Sequence, residues 1–258
     1  MRALENSDVL TPDVIPAIDG ELFKSVRYVN VPEPRQTDLV TWIDGKPLDD
    51  TSLDEHALLE SYRILGETTA RVHNQASTWE LPAGFTRHAW DVDGLLGESP
   101  FRGRFWELQA LNDVQRNRLQ ALRPILAERL SAFGKDADRY SMIHADLVAE
   151  NMLTSTDGLR LIDFDDAGFG WHLFDIATSL FWFLDAPYYQ QLEQALLGSY
   201  QSARSLPDEH IALLPSFLVA RGTTYLGLVH TRSETDTVRE LTSAIVAKVM
   251  ALVDNYLD

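Results

Sequence analysis

The chain has no cysteine, which removes disulfide frameworks, thiolate nucleophiles and cysteine-based zinc sites from consideration. It is short of basic charge: 22 Lys and Arg against 39 Asp and Glu give a net charge of −17. A nucleic-acid partner would want a basic face, so that class is set aside. An acidic surface favours a cationic small molecule, although solubility alone also accounts for it. No apolar run reads as long enough to span a bilayer, and no basic-then-apolar leader opens the sequence. The expectation is a cytoplasmic protein with no membrane partner. Repeats and low-complexity tracts are absent too. What is present is 258 residues, 45% of them hydrophobic, enough for a sizeable core in one large domain or two lobes.

The most informative stretch runs from Ile143 to Asp166 and reads IHADLVAENMLTSTDGLRLIDFDD. Met152 and Leu153, then Leu159, Leu161 and Ile162, read as two short strands, with Asp157 and Gly158 supplying the positive backbone angles of a hairpin. Such a hairpin sets Asn151, entering the first strand, beside Asp163, leaving the second. An amide oxygen and a carboxylate are hard oxygen ligands that suit Mg²⁺, which takes few protein ligands and completes its shell with water and phosphate. Asp146 is then free to accept a proton from an attacking hydroxyl. A carboxylate base beside a metal-bound polyphosphate is what phosphoryl transfer requires.

These residues resemble a known family. HADLVAEN, residues 144–151, followed by IDFDD, residues 162–166, is similar to the catalytic loop and metal-binding motif of the aminoglycoside phosphotransferase and choline kinase-like superfamily, relatives of the protein kinases. The resemblance implies Asp146 as catalytic base, Asn151 and Asp163 as Mg²⁺ ligands, His144 as a loop-bracing residue and ATP as phosphoryl donor. It also covers DDAGFGWHLFDIA, residues 165–177, in which Asp175 would start a helix and tie down the catalytic loop. Asp165 and Asp166 stay open between a brace outside the metal's ligand shell and an exposed acidic turn.

Upstream, Glu21 to Val31 alternates as a strand, and Leu39 to Ile43 is a second apolar β-like run before Asp44-Gly45. The resemblance makes the latter a hinge between lobes, with Trp42 and Ile43 near the adenine; an ordinary buried strand ending in a turn fits equally. Before residue 66 there are only two glycines, Gly20 and Gly45, and two lysines, Lys24 and Lys46. No G-x-G-x-x-G precedes the hinge, so the resemblance begins partway through the N-terminal lobe. Either the nucleotide-gripping parts are lacking by design or an upstream portion is missing from the sequence.

The rest reads as helical. A capping box at Ser52 to Glu55 opens a helix to about Gln75, whose end, LGETTARVH, is similar to the family's G-x-x-x-A-x-x-H helix; His73 there reads as a packing residue rather than a ligand. Trp79 to Arg104 is a loop region whose Trp90, Asp91, Asp93 and Glu98 either meet the acceptor or pack the loop down. Phe105 to Phe133 is helical, with Pro124 predicting a kink or break. Four more helices follow, at about residues 172–184, 188–203, 208–229 and 236–256. Trp171, Phe174, Phe181, Trp182 and Phe183 read as core.

The expected fold is therefore α+β and protein-kinase-like, with remnant N-terminal strands and hinge at 1–45 and a helical lobe carrying the catalytic loop at 46–258. The expected function is ATP- and Mg²⁺-dependent phosphoryl transfer to a hydroxyl or amine of a small-molecule acceptor. The alternative is a catalytically impaired pseudokinase or binding module. A reduced sheet also leaves an unpaired edge that recruits another strand, predicting a homo-oligomer through residues 22–43; a strict monomer by light scattering would count against that.

Overall fold

The computed structural model describes the chain except residues 5–6, 49–53, 157 and 234–235. It is an α+β structure in which helices enclose most of the core and short strands carry the polar loops. Helices α1 (Glu55–Thr78), α2 (Val92–Leu96), α3 (Asp113–Phe133), α4 (His172–Leu180), α5 (Tyr189–Ala203), α6 (Asp208–Ile211), α7 (Leu214–Thr231) and α8 (Asp236–Leu257) alternate with strands β1 (Lys24–Val26), β2 (Arg35–Thr37), β3 (Lys46–Pro47), β4 (Ala89–Trp90), β5 (Tyr140–Ile143), β6 (Met152–Ser155), β7 (Gly158–Leu161) and β8 (Gly168–Trp171). The strands form a β1-β2 ribbon, a β3-β6-β7 sheet and a β4-β8-β5 sheet.

Helix α1 shows how the sequence builds this body. Its N-cap is Asp54, whose side chain accepts from the Ala57 backbone N–H; the expected box rested on Ser52, which lies outside the described residues. Tyr62, Leu65, Thr69 and Val72 are buried along one face, and the helix packs against α5. The approach is so close at Gly66 that a methyl group there would collide with the Leu196 carbonyl oxygen. This gives the G-x-x-x-A-x-x-H phrase a physical basis: Gly66 admits α5, and His73, two turns on, reaches the loop described below. Gly66→Ala is expected to cost about 1–3 kcal/mol, the range for overpacking a filled interior; a variant melting at the wild-type temperature would contradict that contact.

Helix α3 is entered through a full capping box between Asn112 and Gln115, and only a 3₁₀ turn, Phe105–Glu107, precedes it. It is continuous through Pro124, so of the expected kink or break the break does not occur. Pro124 and Gln120, whose carbonyl loses its partner, both lie on the exposed face, where water replaces the missing hydrogen bond. The expected helix over 172–184 ends as α4 at Leu180 and tightens into a 3₁₀ turn at Phe181–Phe183. The expected helix over 208–229 is α6 followed by α7. Together, Asp208–Thr231 is long and apolar enough to cross a membrane, contrary to the sequence reading, but 72% of its most apolar window is buried inside the molecule. That is the setting of a core helix.

The N-terminal region has less sheet than expected. Glu21–Val31 contributes only β1, paired with β2. Leu39–Ile43 forms no strand: its pairing among the described residues is an isolated bridge between Val14 and Val40, flanked by the Ile15 N–H on the Leu39 carbonyl and the Thr41 N–H on the Asp13 carbonyl. Ile18, Phe23, Val29, Leu39 and Trp42 stand exposed here. Farther back, Leu4 and Val9 join the main core, and Leu10 bridges to Arg160 on β7.

Candidate active site

The β5 strand delivers the chain into His144-Ala145-Asp146, a bend in which Ala145 takes a φ of +64°. A non-glycine residue in that region is held there by its surroundings. Asp175, in the first turn of α4 and 0% exposed, supplies much of the hold. Its Oδ2 accepts from the His144 N–H at 3.0 Å and its Oδ1 from the Ala145 N–H at 2.6 Å. The imidazole Nε2–H of His73 on α1 donates to the same Oδ2 at 3.0 Å, and the Tyr200 hydroxyl donates to His73 Nδ1 at 2.9 Å. A buried chain of donors from α5 through α1 thus ends on the carboxylate that fixes the loop.

His144 is buried and has a determinate tautomer. Its Nδ1 accepts from the Asp146 N–H at 3.3 Å, so Nε2 carries the proton and donates to the Ile162 carbonyl at 3.0 Å. The imidazole therefore ties the loop to the residue before Asp163.

The expected hairpin is present, with Met152 opposite Leu161 and Ser155 opposite Gly158. Gly158 has φ +123°, while Asp157 lies outside the described residues. The Ile162 N–H donates to the Asn151 carbonyl at 3.0 Å, which places Asn151 beside the start of the Asp163 turn. Asn151 Nδ2 donates to Asp146 Oδ2 at 2.8 Å and to the Asp146 carbonyl at 3.0 Å, leaving its amide oxygen as the acceptor. Asp163, also left-handed at φ +60°, is exposed, and its Oδ1 takes a long 3.4 Å hydrogen bond from the Asp165 N–H. Among the described residues no three His, Asp or Glu side chains cluster as a metal cage. One amide oxygen and one carboxylate nonetheless fit Mg²⁺, which needs few protein ligands when phosphate oxygens complete its shell.

Asp163 opens onto a cavity of about 510 Å³ whose lining includes Val40, Trp42, Ile43 and Gly45. Trp42 is 88% exposed, with its indole N–H on Asp44. Lys24 lies in an exposed cluster with Asp19 and Glu21. The segment after Asp163 is pinned from outside: Arg87 donates to the Phe164 and Asp165 carbonyls, the Trp90 indole to the Asp166 carbonyl at 2.8 Å, and Arg102 to the Asp166 carboxylate. Asp166 is thus committed to Arg102, whereas Asp165 is exposed. Trp90 and Asp91 serve structure: Trp90 is fully buried, and Asp91 caps α2 and pairs with Lys135.

Two groups near Asp146 escaped the sequence reading. Arg221 of α7 donates to Asp146 Oδ1 at 2.7 Å, and the Tyr225 hydroxyl accepts both from Arg221 at 3.0 Å and from the Trp182 indole at 2.9 Å. Trp182 is 44% exposed rather than core. The one available signal was that Arg221 is the sole charged residue between Leu214 and Val229.

Burial pushes His73, His144 and His172 below their usual value of 6.5. Their sites in the folded chain therefore bind fewer protons than in the unfolded chain as pH falls through 6.5, so their stabilisation is present above that pH and is lost below it. Asp175, pushed up to about 6 by burial from 3.8, acts in the opposite sense between those values, one group against three. The melting temperature is expected to fall between pH 7.5 and about 5; a higher value at the acidic end would contradict this.

Comparisons with known proteins place the chain among phosphotransferases. The chain is 29% identical over 245 residues to an uncharacterised protein of Deinococcus radiodurans, covering 90% of this chain and 65% of that protein. It is 23% identical over 224 residues to the amicoumacin kinase of Bacillus subtilis, covering 82% and 62%. It thus spans a little under two thirds of the length of these curated relatives. Among solved structures, the microcompartment-associated aminopropanol kinase superposes with a TM-score of 0.87 at 31% identity, covering 99% of this chain and 78% of that one; the fold is kinase-like. With the family model described as phosphotransferase enzyme family, APH, matching residues 1–206, the chain belongs to the APH phosphotransferase family.

Proposed function

We propose that the chain transfers the γ-phosphoryl group of ATP to the hydroxyl of a short amino alcohol. The observation that carries the reading is the disposition of Asp146: one carboxylate oxygen is held by Arg221, the other by Asn151, and Asn151 adjoins the Asp163 turn. A base fixed in this way can hold an acceptor hydroxyl in line with a phosphoryl group. As the acceptor oxygen bonds to phosphorus, the bond from phosphorus to the bridging oxygen of ADP breaks and the hydroxyl proton passes to Asp146. Asn151 and Asp163 would hold Mg²⁺, which when bound offsets the charge on the polyphosphate. Trp42 and Ile43, on the wall of the cavity that Asp163 lines, would meet the adenine.

The acceptor class rests on the likeness to the aminopropanol kinase and on the chain's excess of negative charge, which favours an ammonium-bearing substrate. The second reading, a binding module without turnover, draws on Lys24, which sits among Asp19 and Glu21 rather than in a phosphate site. ADP release in the presence of ATP, Mg²⁺ and aminopropanol separates the two. The phosphotransferase requires all three components, whereas nucleotide binding without ADP release across a panel of amino alcohols would favour the module.

A further inference from the structure

We propose that Arg221 is a positioning residue that sets the conformation of the catalytic loop and the orientation of Asp146. The proposal rests on the phosphotransferase reading and extends it to a residue of α7, 75 positions away in sequence from Asp146. Ala145 lies in the left-handed region, and its peptide groups are gripped at both ends. Asp175 takes its N–H at 2.6 Å, and Arg221 Nη1 donates to its carbonyl at 3.0 Å. The other arm of the same guanidinium reaches Asp146 Oδ1 at 2.7 Å, while Asn151 occupies Oδ2 at 2.8 Å. With a donor on each oxygen the carboxylate cannot rotate, and its remaining lone pairs have fixed directions.

Burial argues that this geometry is the residue's role. Arg221 is only 3% exposed, its guanidinium lies over the rings of Tyr225 and Phe174 at 4.4 and 5.8 Å, and its Nε has no hydrogen-bond partner. A buried charge with an unsatisfied donor is a poor stabiliser compared with apolar packing. A planar fork that must meet a carbonyl, a carboxylate and a phenol at once is also something lysine cannot reproduce.

The test is Arg221→Lys beside the wild type, measuring ADP release with ATP, Mg²⁺ and aminopropanol together with the Kd for ATP and the melting temperature. A positioning role predicts a fall in kcat of ~10–100-fold, the scale of an ångström-level misplacement, with the Kd for ATP and the melting temperature near wild type. Arg221→Gly with added methylguanidinium should recover part of the lost kcat. Wild-type kcat in Arg221→Lys, or a kcat loss matched by equal losses in nucleotide affinity and melting temperature, would overturn the proposal. Asp146→Asn, run in parallel, keeps the two claims apart. No ADP release by the wild type sinks the phosphotransferase reading and this proposal with it; full activity in Asp146→Asn removes Asp146 from the chemistry and sinks this proposal, and an inactive Asp146→Asn beside a fully active Arg221→Lys sinks this proposal alone.

Discussion

Asp146→Asn is expected to lower ADP release by a factor of ~10²–10⁴, the usual contribution of a positioned general base, while ATP still binds. The change is nearly isosteric, so the effect is chemical. An amide cannot take the acceptor's proton, and it can present an oxygen to only one of the two donors, Arg221 and Asn151, that now hold the carboxylate. The amide NH₂ must face the other donor, and Arg221, buried in α7, loses its counter-charge. Some loss of stability therefore accompanies the loss of turnover. Melting curves and an ATP titration on the same preparation distinguish the two: the loss of kcat should greatly exceed the change in nucleotide affinity. A variant that turns over ATP at the wild-type rate would remove Asp146 from the chemistry.

Asp175→Asn is expected to produce the largest loss of stability of any single change at the site, about 1–3 kcal/mol, the cost of leaving a buried donor unsatisfied. Three N–H donors converge on its carboxylate, from His144, Ala145 and His73, and an amide offers one oxygen where two are used. Its NH₂ group would point at a donor in a fully buried site, leaving both unsatisfied. The loss would appear as a lower urea midpoint with an unchanged m-value. Because the same bonds hold Ala145 in the left-handed region, turnover should fall as well, even at temperatures where the variant is folded. An unchanged urea midpoint would mean that the loop is fixed by other contacts.

How legible all this was in the sequence depended on the range of the interaction. His144, Asp146, Asn151 and Asp163 lie within 20 residues, and the hairpin register brings Asn151 next to the Asp163 turn, so their nearness in space could be read from their spacing. Asp175 could be assigned because the family resemblance extends through residues 165–177, where it starts the following helix. Arg221 could not: it reaches the loop from α7, and nothing local in the sequence relates an arginine in an apolar helix to a carboxylate 75 residues earlier.

The errors in the fold have a similar origin. Leu39–Ile43 has strand composition but pairs through an isolated bridge, and a strand is defined by its neighbours more than by its residues. Of the kink or break expected at Pro124 the break does not occur, because a helix tolerates proline where the orphaned carbonyl faces water. Trp182 read as core from its apolar neighbours, but the 3₁₀ turn at Phe181–Phe183 rotates it outward, leaving its indole N–H on Tyr225.

In the proposed reaction Asn151 and Asp163 present a divalent-cation site to a bound nucleotide, beside the base. The most direct measurement is calorimetric titration of ATP into the wild type and into Asp163→Asn, each with and without Mg²⁺. Mg²⁺ is expected to strengthen ATP binding to the wild type, and this gain is expected to be lost in the variant. An equal gain in both proteins would contradict this.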